Sequence, residues 1–221
     1  MSKILISGES NSGKTTLLKT LDPKKTLVIS HDGKQFPYAI PHVNIPTFGT
    51  TAELIKLITE KMIAFKEKFG EFPTNIVFDS VSKIFETIMD SMSIKHTGFK
   101  VYGELDINIS EFNRFVEDQL ISSGKNVIIL SHALYDGDTG NYNLSGKGSF
   151  AKVGGYLSQV DHAVFIEKKS NKRVIHHKAT KFPARSTLDD IPESQPIEEY
   201  NLAEHIIKLE SVKGEVVEFS L

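Results

Sequence analysis

Short apolar runs alternate along this chain with longer stretches in which apolar residues return every three or four positions. That alternation predicts an α/β domain built around a mostly parallel sheet. Lys3–Ser7 (KILIS), Thr26–Ser30 (TLVIS), Asn75–Phe78 (NIVF) and Asn126–Leu130 (NVIIL) read as buried strands. Helical periodicity covers Gly13–Leu21, which the Asp22-Pro23 pair stops, then Thr51–Phe69, Val81–Ile94 and Glu104–Ser122. Gln35–Thr47 holds Pro37, Pro41 and Pro46 and reads as irregular. Tyr135–Gly148 is polar, has four glycines and lacks periodicity, so it reads as a long loop. Beyond it the pattern predicts a helix over Phe150–Gln159 and strands at Ala163–Glu167 and Arg173–His177. A short helix around Leu202–Leu209 and a last strand at Glu215–Leu221 follow.

Composition changes this picture in three ways. The 221 residues suffice for one domain with a full core, since a chain of that size buries roughly 70% of its unfolded surface. The absence of cysteine removes disulfides, thiolate metal sites and cysteine nucleophiles. No apolar run approaches the roughly 18 residues of a membrane span, and MSKILISGES turns polar too early for a secretory signal, so an intracellular protein without a membrane partner is expected. Charge is distributed unevenly behind the net value of −2. Residues 147–185 carry 9 basic and 2 acidic residues, whereas 186–221 carry 2 basic and 9 acidic. A basic segment of +7 is therefore followed by an acidic one of −7, read as a solvated tail, and the whole-chain charge says nothing about affinity for polyanions.

Gly8-Glu9-Ser10-Asn11-Ser12-Gly13-Lys14-Thr15 fits the pattern G-x-x-x-x-G-K-[ST] between a predicted strand and a predicted helix. Glycines at both ends let backbone N–H groups turn inward around a β-phosphate, and the helix start adds positive potential. Lys14 then reaches the β- and γ-phosphates, the Thr15 hydroxyl ligates Mg²⁺, and Thr16 completes the cradle. This motif predicts a nucleoside triphosphate, ATP, with Mg²⁺. Asp79, at the end of NIVF, is the candidate carboxylate for the metal; Asp79-Ser80 also suits a helix cap.

GESNSGKTT followed by NIVFDSV resembles the RecA-like P-loop ATPases. The span from Ile4 to about Asp190 is similar to their phage-encoded minimal cores, AAA-type ATP-binding proteins associated with single-strand annealing and DNA recombination. Further matching blocks are VISHDG (28–33), IVFDSVSKIFE (76–86), NVIILSH (126–132) and HHKATKFPARST (176–187). The resemblance implies a three-layer P-loop fold with a RecA-like sheet and antiparallel strands near the C-terminus. It also implies an ATPase core over 1–190 and an acidic extension over 191–221, packed on the core or trailing from it, in a cytoplasmic protein.

The same resemblance distributes roles. Asp32 takes the position of the carboxylate that orients or deprotonates the attacking water, where the family more often has Glu; the alternative is an Asp32-Gly33 turn that needs no chemistry. His132 stands where a polar residue senses the γ-phosphate, and His31 lines the site. Lys178, Lys181 and Arg185 fall in the segment that supplies cations across a subunit interface, which implies a homo-oligomer with ATP between subunits. Residues 135–152 fall where mobile DNA-contacting loops lie. There Lys147 and Lys152 offer phosphate contacts, and Tyr142, Phe150 and Tyr156 offer rings for bases of single-stranded DNA. A single-strand-binding protein is a further implied partner. The adjacent pair His176-His177 argues against a shared metal, because neighbouring strand residues face opposite ways.

Two other function classes share the phosphate loop. A small-molecule kinase usually closes an arginine-bearing lid, and this chain has only Arg114, Arg173 and Arg185. A nucleotide-gated regulatory module would need no DNA contact. A GTPase is disfavoured because Asn171-Lys172-Arg173-Val174 lacks the aspartate that reads guanine, and the AAA+ branch usually follows its second-motif aspartate with glutamate rather than Ser80.

Overall fold

The computed structural model describes residues 1–31, 33, 35–45, 48–146, 150, 154–178 and 180–212. Asp32, Lys147, Lys152 and the expected strand Glu215–Leu221 lie outside the described residues. The elements follow the alternation expected of an α/β chain. Strands β1 (Lys3–Gly8), β2 (Thr26–Ser30), β3 (His42–Asn44), β4 (Asn75–Asp79), β5 (Asn126–Asp136), β6 (Asn141–Leu144), β7 (His162–Lys169), β8 (Lys172–His176) and β9 (Ser194–Pro196) form one sheet. Its order is β3-β2-β4-β5-β1-β7-β8-β9, with β6 paired to β5. Pairings from β3 through β7 are parallel; β7–β8, β8–β9 and β5–β6 are antiparallel.

Strand residues alternate between two apolar layers, as a period of two requires. Leu5, Leu27, Ile29, Ile76, Phe78, Val127 and Ile129 face one layer, covered by α2 (Thr51–Phe69), α3 (Val81–Lys95) and α4 (Phe99–Phe115). Ile4, Ile6, Val28, Val77, Ile128, Leu130, Val164 and Ile166 face the other. That second side is covered by α1 (Lys14–Leu17) and α5 (Leu202–Ser211). Central strands are buried on both faces, which explains why their sequences read as continuous apolar runs. Among the described residues no helix is long and apolar enough to cross a membrane.

Several expectations change. The first helix is one α turn followed by a 3₁₀ turn at Leu18–Thr20, ending where Leu21 becomes extended. Helix α4 starts at Phe99, earlier than the pattern placed it, and passes into a π-helical turn at Val116–Ile121. The glycine-rich stretch from Tyr135 contains a hairpin rather than a long loop: β5 continues to Asp136 and β6 returns, with Tyr135 opposite Tyr142. Its solvent-facing polar residues hide the period of two. The described part of Phe150–Gln159 includes a 3₁₀ turn at Gly155–Ser158, entered through Gly154 in the left-handed region. The acidic C-terminal segment is no solvated tail where described. Tyr200, Leu202, Ile206 and Leu209 are buried against the sheet, and Asn201 caps α5 by accepting from the N–H groups of Ala203 and Glu204.

Candidate functional site

The chain leaves β1 at Gly8 and turns through Glu9–Gly13 before α1 begins. Both bounding glycines are sterically required. A Cβ on Gly8 would lie 2.7 Å from the Ile166 carbonyl oxygen and 2.7 Å from Ser12 Oγ. A Cβ on Gly13 would lie 3.3 Å from Ile197 Cδ1 and 3.4 Å from Arg173 Cδ, and Gly13 has φ 107°, which L residues rarely adopt. Asn11, at φ 60°, is of a residue type that tolerates this region. The Ser12 N–H closes back on the Glu9 carbonyl at 3.3 Å.

Lys14 is only 6% exposed. Its Nζ donates to the carbonyl oxygens of Gly8 at 2.8 Å and Glu9 at 2.7 Å, so the ammonium sits inside the turn. Thr15 Oγ1 donates to Asp79 Oδ2 at 2.8 Å, which ties the turn to the end of β4. Asp79 is 2% exposed, and its peptide bond to Ser80 is cis. The β1–β5 register sets His132 beside Gly8, and the His132 N–H donates to Ser82 Oγ at 3.3 Å. Ser82 in turn meets Ser131 at 3.3 Å. A cleft of about 280 Å³ opens between the turn, Asp79, His132 and Arg173, with Ser10, Asn11 and Thr16 on its wall.

These residues fit a magnesium-bound nucleoside triphosphate. The turn excludes side chains at both glycines, Ser12 Oγ is buried with no partner among the described residues, and an ammonium already points inward. A hydroxyl and a carboxylate held 2.8 Å apart are hard oxygen donors of the kind Mg²⁺ takes. The family comparison agrees. A model described as an AAA domain matches residues 1–188. The chain belongs to the AAA-domain family. Its nucleotide site is therefore that of an AAA-type P-loop ATPase. No curated protein matches the chain.

Around this AAA-type site, two contributing residues escaped the sequence reading. Tyr38 lies in the proline-rich stretch, and its hydroxyl donates to the Thr15 carbonyl. Burial, then the Asp79 carboxylate, push its phenol above the ordinary value. Arg173 lies on β8, in a segment where no motif marks it. His31 is directed elsewhere: its Nδ1 donates to the Ile45 carbonyl, and its Nε2 meets the Thr87 hydroxyl. His176 and His177 do face opposite sides, His176 pairing with Glu167 at 3.0 Å and His177 lying fully buried. Among the described residues no group of three or more His, Asp or Glu side chains is arranged to hold a metal ion.

The aromatic and basic residues divide sharply. Tyr156 is core: its ring packs 5.0 Å from Phe150 and 6.3 Å from Phe85, and its hydroxyl donates to Asn113 Oδ1 at 2.8 Å. A ring so enclosed has no face for a base. Phe150 is half-buried against the same cluster. Tyr142 is half-buried on β6, 4.8 Å from Phe165 and 5.5 Å from Phe182, and burial raises its phenol pKa. The expected trans-acting cations lie on the segment that Phe182 and Ala163 anchor. Lys178 reaches the Asp189 carbonyl at 3.4 Å, and Lys181 is exposed. Arg185 pairs with Ala163 through its backbone and reaches the Leu157 carbonyl at 3.3 Å.

Proposed function

We propose that this AAA-domain protein is a Mg²⁺-dependent ATPase of RecA-like type that acts on single-stranded DNA, in phage recombination or annealing. The observation that carries the hydrolytic part is the Thr15–Asp79 hydrogen bond at 2.8 Å beside the buried Lys14. Water attacks the γ-phosphorus, the bond to the bridging oxygen breaks, and ADP and phosphate leave. Lys14 would hold the phosphate oxygens, and Thr15 with Asp79 would hold a Mg²⁺ ion, which would supply positive charge to offset that of the phosphates. Asp32 accepts the proton of the attacking water, and His132 hydrogen-bonds the γ-phosphate and releases it after cleavage.

The DNA part of the reading is supported by the ordered RecA-like blocks and by the +7 balance of residues 147–185. Lys147, Lys152, Tyr142 and Phe150 contact the strand, and subunits assemble so that Lys178, Lys181 or Arg185 reaches a neighbour's ATP. Phosphate contacts make such binding strongly salt-dependent. The test is the ATPase rate with and without single-stranded DNA at two salt concentrations. Stimulation that fades at the higher salt is expected. Hydrolysis indifferent to DNA, with no salt-sensitive binding, would leave an ATPase without this partner; phosphate transfer to a metabolite would make the protein a kinase.

A further inference from the structure

We infer that Arg173 is a second cation for the phosphate chain of the bound nucleotide, supplied by the same chain that supplies Lys14. This rests on the nucleotide reading above but not on DNA binding or assembly. The placement begins with strand alternation. On β8, Arg173 and Ile175 share a face, and Ile175 is buried in the layer that includes Leu17 and Leu18 from α1 and the turn after it. Arg173 continues that row past the apolar layer, which brings it over the phosphate turn. Its Cδ and Nε stand 3.4 Å and 3.6 Å from where a Gly13 Cβ would be, and it lines the cleft shared with Lys14, Thr15, Asp79 and His132. A side chain at position 13 would occupy the space the guanidinium stem uses.

Charge points the same way. Arg173 is half-buried and its guanidinium makes no hydrogen bond or ion pair among the described residues. Directly opposite it on β7 stands Lys168, and the next pair is Lys169 opposite Lys172. Lys169 has Glu167 at 3.0 Å. Lys168 and Arg173 are cross-strand neighbours on one face, a like-charge pair that weakens a hairpin unless an anion sits between or beside the two charges. The anion that the adjacent turn is shaped for is a phosphate chain. A guanidinium presents its donors in a planar fork that matches phosphate oxygens, which a lysine at this position would not reproduce.

The test measures affinity for fluorescently labelled ATP and ADP, and for adenosine, in the wild type, Arg173→Met, Arg173→Lys and Lys14→Ala. Methionine keeps an apolar stem over Gly13 and removes the charge. Arg173→Met is expected to weaken ATP and ADP binding about 10- to 100-fold, with adenosine affinity unchanged and Arg173→Lys recovering part of the loss. Triphosphate affinity within twofold of wild type in Arg173→Met, while Lys14→Ala loses it, would overturn the assignment and leave the nucleotide site standing. An equal loss for adenosine would also overturn it, placing Arg173 at the base or ribose. No nucleotide binding by the wild type would remove both readings together.

Discussion

Two groups of buried polar side chains flank β1 and β7, and they solve the cost of burial in opposite ways. At the phosphate turn, Lys14 donates to two carbonyls, Thr15 donates to Asp79, and Tyr38 donates to the Thr15 carbonyl around an open cleft. Beneath α5, His162, His177 and His205 pack with Tyr200, ring centroids 4.0–5.8 Å apart. There His162 Nε2, both His177 ring nitrogens, His205 Nε2 and the Tyr200 hydroxyl are buried without a partner among the described residues. The first group lines a cleft whose residues fit a charged ligand. The second is sealed, and it survives by staying neutral: burial lowers the pKa of His162 to about 2 and of His177 and His205 to about 4. Neighbouring rings and the Lys178 and Lys208 ammonium groups push the same way. Burial alone therefore does not mark a site; buried polar groups that converge on an opening do.

The largest effect that separates the two regions is on turnover. Lys14→Ala should lower the ATPase rate at least about 100-fold, since it removes the charge aimed at the phosphates. Folding should change by only about 1 kcal/mol, because the two loop carbonyls it releases can turn to water. A steady-state assay beside a denaturation curve checks both numbers. A variant that unfolds would mean that Lys14 holds the fold as much as the ligand.

Acid should discriminate in the other direction. Between pH 6.5 and about 4, His177 and His205 bind fewer protons folded than unfolded, so stability rises with pH across that window and is lost as pH falls. For His162 the window extends down to about 2. One such imidazole contributes on the order of 3 kcal/mol of loss by pH 4. Denaturant midpoints at pH 7, 5.5 and 4.5 should fall steeply below 6.5. A flat profile would show that the rings are hydrated or paired in solution.

His205→Leu sharpens this further. It replaces a buried ring whose Nε2 has no partner among the described residues by an apolar side chain, so stability at pH 7 should stay within about 1 kcal/mol of wild type or rise. Its decline on acidification should be shallower than that of the wild type. An equal slope in the two proteins would remove His205 from the titrating set.

How much of this was legible beforehand follows from what the sequence encodes locally. Gly8, Gly13, Lys14 and Thr15 are contiguous, and a strand and a helix start flank them, so the turn declares itself. Asp79 was legible because a buried strand ends on it. The hairpin after Ser131 was hidden because Tyr135–Leu144 alternates at a solvent-facing edge, where polar residues blur the pattern. The histidine cluster was hidden for a different reason. His162, His177 and His205 are 15 and 28 residues apart, and only the antiparallel β7–β8 pairing and the docking of α5 bring them together. Arg173 shares that cause, since its place over Gly13 depends on the same β7–β8 register.

The smallest contrast is between two tyrosines, one in each region. Tyr38 donates its hydroxyl proton to the Thr15 carbonyl, whereas the Tyr200 hydroxyl is buried with no partner among the described residues. Removing the same atom should then have opposite signs. Tyr38→Phe deletes a made hydrogen bond and should cost about 0.5–1.5 kcal/mol. Tyr200→Phe deletes a desolvated hydroxyl that returns nothing to the fold, so stability should be unchanged or higher by up to about 1 kcal/mol. Paired denaturation curves at pH 7 read the difference directly. Equal losses in both would mean that the Tyr200 hydroxyl has found a water, and the region beneath α5 would then be wet rather than sealed.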